Sequence, residues 1–215
     1  TRELGSRTTS MNAAITAQAL NLNKNTCGFT LTNSGNLINT VYGTASSVSL
    51  SNDKAITVSG LAISSSLLLR TVNATTAGIT LAGAITGNGT LVLDAGNGVF
   101  QNSVGVGAIP VVGGRTWTIY SGETNPNNWN TQRNNLVYDY RQYNAGYGDT
   151  ILGTGRGFIY KNAPTLTLTG LTGTASKVYD GTTAATLTAA NYTFTDSIAG
   201  DRNADGVGGT AVYDT

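Results

Sequence analysis

Six short β-prone triplets recur in the first hundred residues: Phe29-Thr30-Leu31, Val48-Ser49-Leu50, Ile56-Thr57-Val58, Leu67-Leu68-Leu69, Ile79-Thr80-Leu81 and Leu91-Val92-Leu93. The last four begin 11, 12 and 12 residues apart. Turn residues lie between them: Ser59-Gly60, Asn73, Gly78, Gly87-Asn88-Gly89 and Gly96-Asn97-Gly98. Strands this short and this evenly spaced limit the fold to a sandwich, a barrel or a β-solenoid. A sandwich prefers longer strands and a more aromatic core. The small residues here, such as Ala82-Gly83-Ala84 and Ala95-Gly96, suit narrow stacked coils. Two strand units give a coil of about 22–24 residues, within the usual range for solenoid repeats. Coils that stack bring like residues into line, so that Asn and Thr ladders can satisfy the turns. The expectation is an all-β chain built on a right-handed parallel β-helix, with a Thr-rich sandwich as the competing reading.

Composition supports the same class. Among 215 residues, Thr (35), Asn (22) and Gly (28) suit pleated surfaces and tight turns. Charged residues are 11%, against about 25% in ordinary globular chains. The net charge is +1 and hydrophobic residues are 40%, which argues against disorder. No histidine is present, which removes His-based acid–base catalysis and His-ligated metals. One cysteine, Cys27, allows no intrachain disulfide or iron–sulfur cluster and reads as a buried free thiol. Without a basic excess there is no electrostatic footprint for nucleic acid. No apolar run is long enough to span a bilayer as a helix.

Four segments are expected along the chain. Residues 1–10 read as an unstructured or extraneous start. Residues 11–110 carry the β-helix coils. Residues 111–165 break the repeat and hold nine of the sixteen aromatics, which suits a cap over the last coil. Within them Ser121 to Asn135 reads as a polar loop. Residues 166–215 are again Thr-rich, too short for a sandwich domain of about 100 residues, so a domain cut short is expected there.

The run Ser176-Lys177-Val178-Tyr179-Asp180-Gly181-Thr182-Thr183 resembles the opening of a YDG repeat. Such repeats are Ig-like modules of large bacterial adhesins of the filamentous-haemagglutinin type. Arg115-Thr-Trp117-Thr-Ile-Tyr120-Ser121-Gly122, Arg141-Gln142-Tyr143-Asn144-Ala145 and Gly157-Phe158-Ile159-Tyr160 followed by Ala163-Pro164-Thr165-Leu166 are similar to the junction of helix and first module in those proteins. The resemblance implies a β-helix, an aromatic cap or junction, and the N-terminal part of a YDG module. It implies two-partner secretion through an outer-membrane transporter, a location at the bacterial cell surface, and attachment to glycans, host cells or biofilm matrix. A monomeric fibre segment is expected, without nucleic acid, membrane insertion or cofactor.

Candidate chemistry is sparse. Trp117, Tyr120, Trp129, Tyr140, Tyr143 and Tyr147 sit among Asn, Gln and Arg and are candidates for a glycan platform; the alternative is that they form the local core. Trp129, in the polar stretch, is the residue expected to be exposed. An alternating strand puts Trp117 and Ile119 on the face opposite Tyr120. Asp53 and Asp94 would be the carboxylates of a β-helix polysaccharide hydrolase or lyase, but read as solvated turn residues without neighbouring cations. Asp201, Asn203 and Asp205 match half of a calcium loop, without the bidentate Glu, and read as a polar hairpin loop. Asp180-Gly181 reads as a turn, with Gly181 supplying a positive φ. No catalytic residue and no metal ligand is assigned. The competing functions are a carbohydrate-active β-helix enzyme and a pure spacer.

Overall fold

The six triplets fall into two stacks. In one, Phe29 lies beside Val48, then Leu67, Leu91, Trp117 and Arg156 in turn, while Leu31 lies beside Leu50, then Leu69, Leu93, Ile119 and Phe158. In the other, Ile56 lies beside Ile79, and Val58 beside Leu81. The 11–12-residue spacing is therefore half a coil. Partner residues are 24 apart from Leu67 to Leu91 and 23 apart from Ile56 to Ile79. The coils are less uniform than expected, since Val48 and Leu67 are 19 apart and Leu91 and Trp117 are 26 apart.

The computed structural model describes residues 8–163, 167–172, 178, 180–182, 184–187, 191–195 and 209–212. The chain divides into two units, Thr1–Ala163 and Pro164–Thr215. The first is a parallel β-solenoid. Its strands are β1 (Thr8–Ser10), β2 (Thr16–Leu31), β3 (Leu37–Asn52), β4 (Ile56–Thr71), β5 (Ala77–Thr86), β6 (Thr90–Asp94), β7 (Val99–Asn102) and β8 (Trp117–Ser121). A helix α1 (Pro126–Arg133) follows, then β9 (Tyr140–Tyr143) and β10 (Arg156–Tyr160). Every strand pair in this unit is parallel. Residues 8–10 are thus a strand paired with Gly28–Thr30, not an unstructured start. No helix among the described residues is long and apolar enough to cross a membrane.

Three 16-residue strands, β2 to β4, each wrap around the coil, and shifts in register mark the bends. Inward positions are aliphatic and almost fully enclosed: Ile38, Val58, Ile63, Leu69, Ile79, Leu91 and Leu93 are buried. Burial of such a side chain contributes roughly 1.5–3 kcal/mol, repeated coil after coil. Asparagines occupy buried corners. Asn36 accepts from Ile15 N at 2.7 Å and donates to the carbonyls of Leu31 and Ser51, both at 2.9 Å. One coil on, Asn52 accepts from Ile38 N at 2.8 Å and donates to Ile38 O and Lys54 O. These amides satisfy backbone groups where the chain turns away from its neighbour. Gly87 shows why glycine is required at a bend. Its φ is +91°, and a Cβ there would lie 2.1 Å from the Ile63 carbonyl of the coil below.

The repeat ends where β5 lacks a next strand beyond Leu81. Residues 103–116 detour instead, with a short 3-10 turn at Val106–Ala108. Arg115 fills the gap. Its buried guanidinium donates to Gly89 O (2.9 Å), Ile85 O (2.7 Å) and Thr86 O (3.4 Å). It supplies the N–H groups that another coil would have offered, and burial pushes its pKa down. Ser121 to Asn135, expected as a loop, contains α1. Asn125 caps it by accepting from Asn127 N at 3.0 Å, Pro126 sits at its first turn, and Asn134 closes it at φ +45°. The helix adjoins β7 through Asn102, which donates to Arg133 O at 2.8 Å.

The final strands are out of sequence order. β10 pairs with β8 on one side and β9 on the other, so β9 forms the edge. Aromatics fill the space beneath. Phe158 meets Trp117 edge-on at 5.1 Å, Phe100 at 5.9 Å and Tyr138 at 5.6 Å, and Arg133 lies over the Tyr138 ring at 4.6 Å.

The second unit is antiparallel. β11 (Thr167–Leu171) pairs with β13 (Tyr192–Thr195) across an irregularity at Leu168/Gly170, and β12 (Ala184–Leu187) pairs with β14 (Gly209–Val212). Gly181 has φ +79°, and Asp180 accepts from Thr182 N at 2.9 Å, the turn expected at this point.

Candidate functional site

The six aromatics proposed as a platform do not form one. Trp117 points into the solenoid and is buried, opposite in alternation to Tyr120, as the strand period requires. Trp129 is 1% exposed, which overturns the expectation of an exposed loop tryptophan. It stacks on Tyr160 at 3.9 Å and on half-buried Tyr143 at 5.3 Å, and its indole N–H reaches Glu123 O at 3.4 Å. The helix turns it inward because it is the single large apolar residue of Pro126–Arg133. Tyr140 lies over two glycines: a Cβ on Gly157 or Gly153 would collide with its ring at 2.0 or 2.2 Å.

Two members of the set meet at the surface. Tyr147, 43% exposed, packs edge-on against buried Tyr120 at 5.9 Å. Tyr120 rests on Ala145 and Ile159, with Tyr140 and Val92 beside it. Burial raises the Tyr120 pKa, with the charges of Asp94 and Asp149 and the neighbouring tyrosines adding to the effect.

Tyr120 and Tyr147 line a cleft of about 310 Å³ together with Arg70, Asp94, Asn97 and Lys161. That volume is at the lower end of small-molecule sites. The Arg70 guanidinium lies 4.0 Å from the Tyr147 ring centre and donates from Nε to Asp94 Oδ2 at 3.0 Å. Asp94 Oδ1 accepts from Gly96 N at 3.0 Å. The Lys161 ammonium donates to the Asn97 side-chain oxygen, and its backbone N–H donates to Ser121 O at 3.1 Å. A second depression of about 330 Å³ adjoins, lined by Thr30, Ser49, Ser66, Leu68, Val92 and again Tyr147.

Asp94 is therefore not the solvated turn residue expected without cations nearby. It is 4% exposed and ion-paired. Asp53 does sit at a turn, accepting from the Asn73 amide. The two share no site, so no acid–base pair forms from them. Arg70, Asn97 and Lys161 escaped the sequence reading, yet a signal for the first was present. Arg70, Asp94 and Tyr120 each follow the inward Leu67, Leu91 and Trp117 by three residues, and stacking lines them up.

Cys27 is buried and unbridged, as expected. No group of three metal-ligating side chains occurs among the described residues. Asp201, Asn203 and Asp205 lie outside the described residues, as do Ser176, Lys177, Tyr179 and Thr183, half of the run resembling a YDG repeat. No family model, no curated protein and no solved structure matches the chain.

Proposed function

We propose that this chain is a segment of a secreted bacterial surface adhesin of the filamentous-haemagglutinin type, and that its solenoid presents a saccharide-binding cleft. The observation that carries the binding half is the cleft itself. Tyr147 stands exposed beside Arg70, Asn97 and Lys161, an aromatic ring among hydrogen-bonding groups that suits a sugar's apolar face and its hydroxyls. The run from Ser176 to Thr183 supports the adhesin half, together with a solenoid that fits coil-by-coil folding outside the cell. Attachment would be to glycans of a host cell or biofilm matrix, after export by an outer-membrane transporter.

Glycan-array binding of the chain, with Tyr147→Ala as control, tests the cleft. Saturable binding that Tyr147→Ala lowers at least tenfold is expected. Binding untouched by that change would move the site elsewhere, and no binding would favour the spacer. The enzyme reading draws on Asp94 lying beside Arg70 and Tyr120. Assays for new reducing or unsaturated ends on polysaccharides separate it from adhesion. Turnover abolished by Asp94→Asn would establish it.

A further inference from the structure

We infer that the cleft selects a carboxylated sugar, with Arg70 and Lys161 receiving the carboxylate and Tyr147 bordering the ring. This rests on the saccharide reading above and adds the sign of the ligand's charge.

The side chains lining the cleft include two cations, Arg70 and Lys161, and one carboxylate, which is already engaged; the exposed Asp149 carboxylate at its border is held by Gly146 N at 2.7 Å. Asp94 accepts from Arg70 Nε through one oxygen and from Gly96 N through the other. Its side chain is 6% exposed, against 34% for Arg70, so the acid lies behind and the guanidinium in front. Gripped at Nε, Arg70 keeps its two terminal amino groups clear of any described acceptor. Those donors form the planar fork that matches a carboxylate in two parallel hydrogen bonds. Tyr147 covers the guanidinium face and restricts its swing. Lys161 is exposed, and its described partner is the neutral Asn97 oxygen rather than an acid. A neutral sugar would leave the outward donors of Arg70 and the Lys161 ammonium without an anion in front of them. An anion without a ring would leave the Tyr147 edge and the Asn97 amide unused.

Isothermal titration at low salt tests this with two matched pairs: trigalacturonate against its methyl ester, and sialyllactose against lactose. At least one acid is expected to bind tenfold or more tighter than its neutral partner, and to weaken as salt rises. Lys161→Gln, an exposed change, should reduce that preference about tenfold while leaving thermal unfolding unchanged. Equal binding of acid and neutral partner overturns charge selection and leaves the saccharide reading standing. An acid preference unaffected by Lys161→Gln overturns the assignment of the carboxylate. Failure of all four sugars to bind overturns both readings.

Discussion

The shaft of the solenoid and its closing end solve the same problem with different residues. Through residues 16–102 the backbone of one coil finds its partners in the next, so aliphatic side chains of modest size suffice inside and asparagine suffices at the corners. From residue 103 onward partners run out on the side of β5 and β7, while β8 and β10 continue the other stack. Side chains then supply both the missing hydrogen bonds and the missing surface. Arg115 donates to three carbonyls, α1 lies against β7, and a stack of Trp129, Tyr143 and Tyr160 covers what another coil would have covered. Repetition lets chemistry be simple, and its interruption concentrates large and charged residues in one place.

Truncating the end should therefore cost more than an equal change in the shaft. Trp129→Ala removes a fully enclosed indole and is expected to destabilise by about 3–5 kcal/mol in urea unfolding. An unchanged midpoint would mean that the aromatic stack is ornamental. Arg115→Met keeps the volume but strands two buried carbonyls, Gly89 O and Ile85 O, and a part-buried one, Thr86 O, with an expected loss of about 3 kcal/mol by the same measurement. A stabilised variant would show that the cation is a burden at this site. In the shaft, Gly87→Ala forces a left-handed residue against Ile63 O, and a loss of about 1–3 kcal/mol is expected. Gly107→Ala, with open space around it, should change thermal unfolding little. Equal effects at the two glycines would break the argument that coil contact sets the requirement.

Acid should affect the end in a defined window. Burial raises the pKa of Glu123, but hydrogen bonds from Asn125 N, Gln132, Asn128 and Thr124 N outweigh it, so the net shift is downward. Asp139, held by the Arg156 side chain and backbone N–H, is lowered to about 2. A depressed carboxylate contributes fully above its ordinary pKa and loses that contribution as pH falls through the folded value. The near-ultraviolet circular dichroism of the tryptophans should therefore weaken between about pH 4.5 and pH 2. Glu123→Gln should flatten part of that response.

The shaft was legible in the sequence because one position in each coil repeats a chemical requirement that a triplet can display. The helix was not, since Pro-Asn-Asn-Trp-Asn-Thr-Gln-Arg has a single large apolar residue and no periodic stripe. It is held by the Asn125 cap, the Glu123 carboxylate and the burial of Trp129, each a tertiary matter. The cleft was half legible. Tyr120 and Tyr147 were among the candidates, whereas Arg70 and Asp94, 24 residues apart, become neighbours only once the coil length is known.

The swapped order of the last strands bears on how such a chain could assemble. Each earlier coil can settle on the one made before it, as monomers add to a growing filament. β9 cannot, because the surface it rests on, β10, is made later in the chain. The final segment must wait, and then lock two strands in place together. That step acts as a terminator: the parallel sheet of the first unit finishes on β9, a four-residue edge strand carrying Arg141.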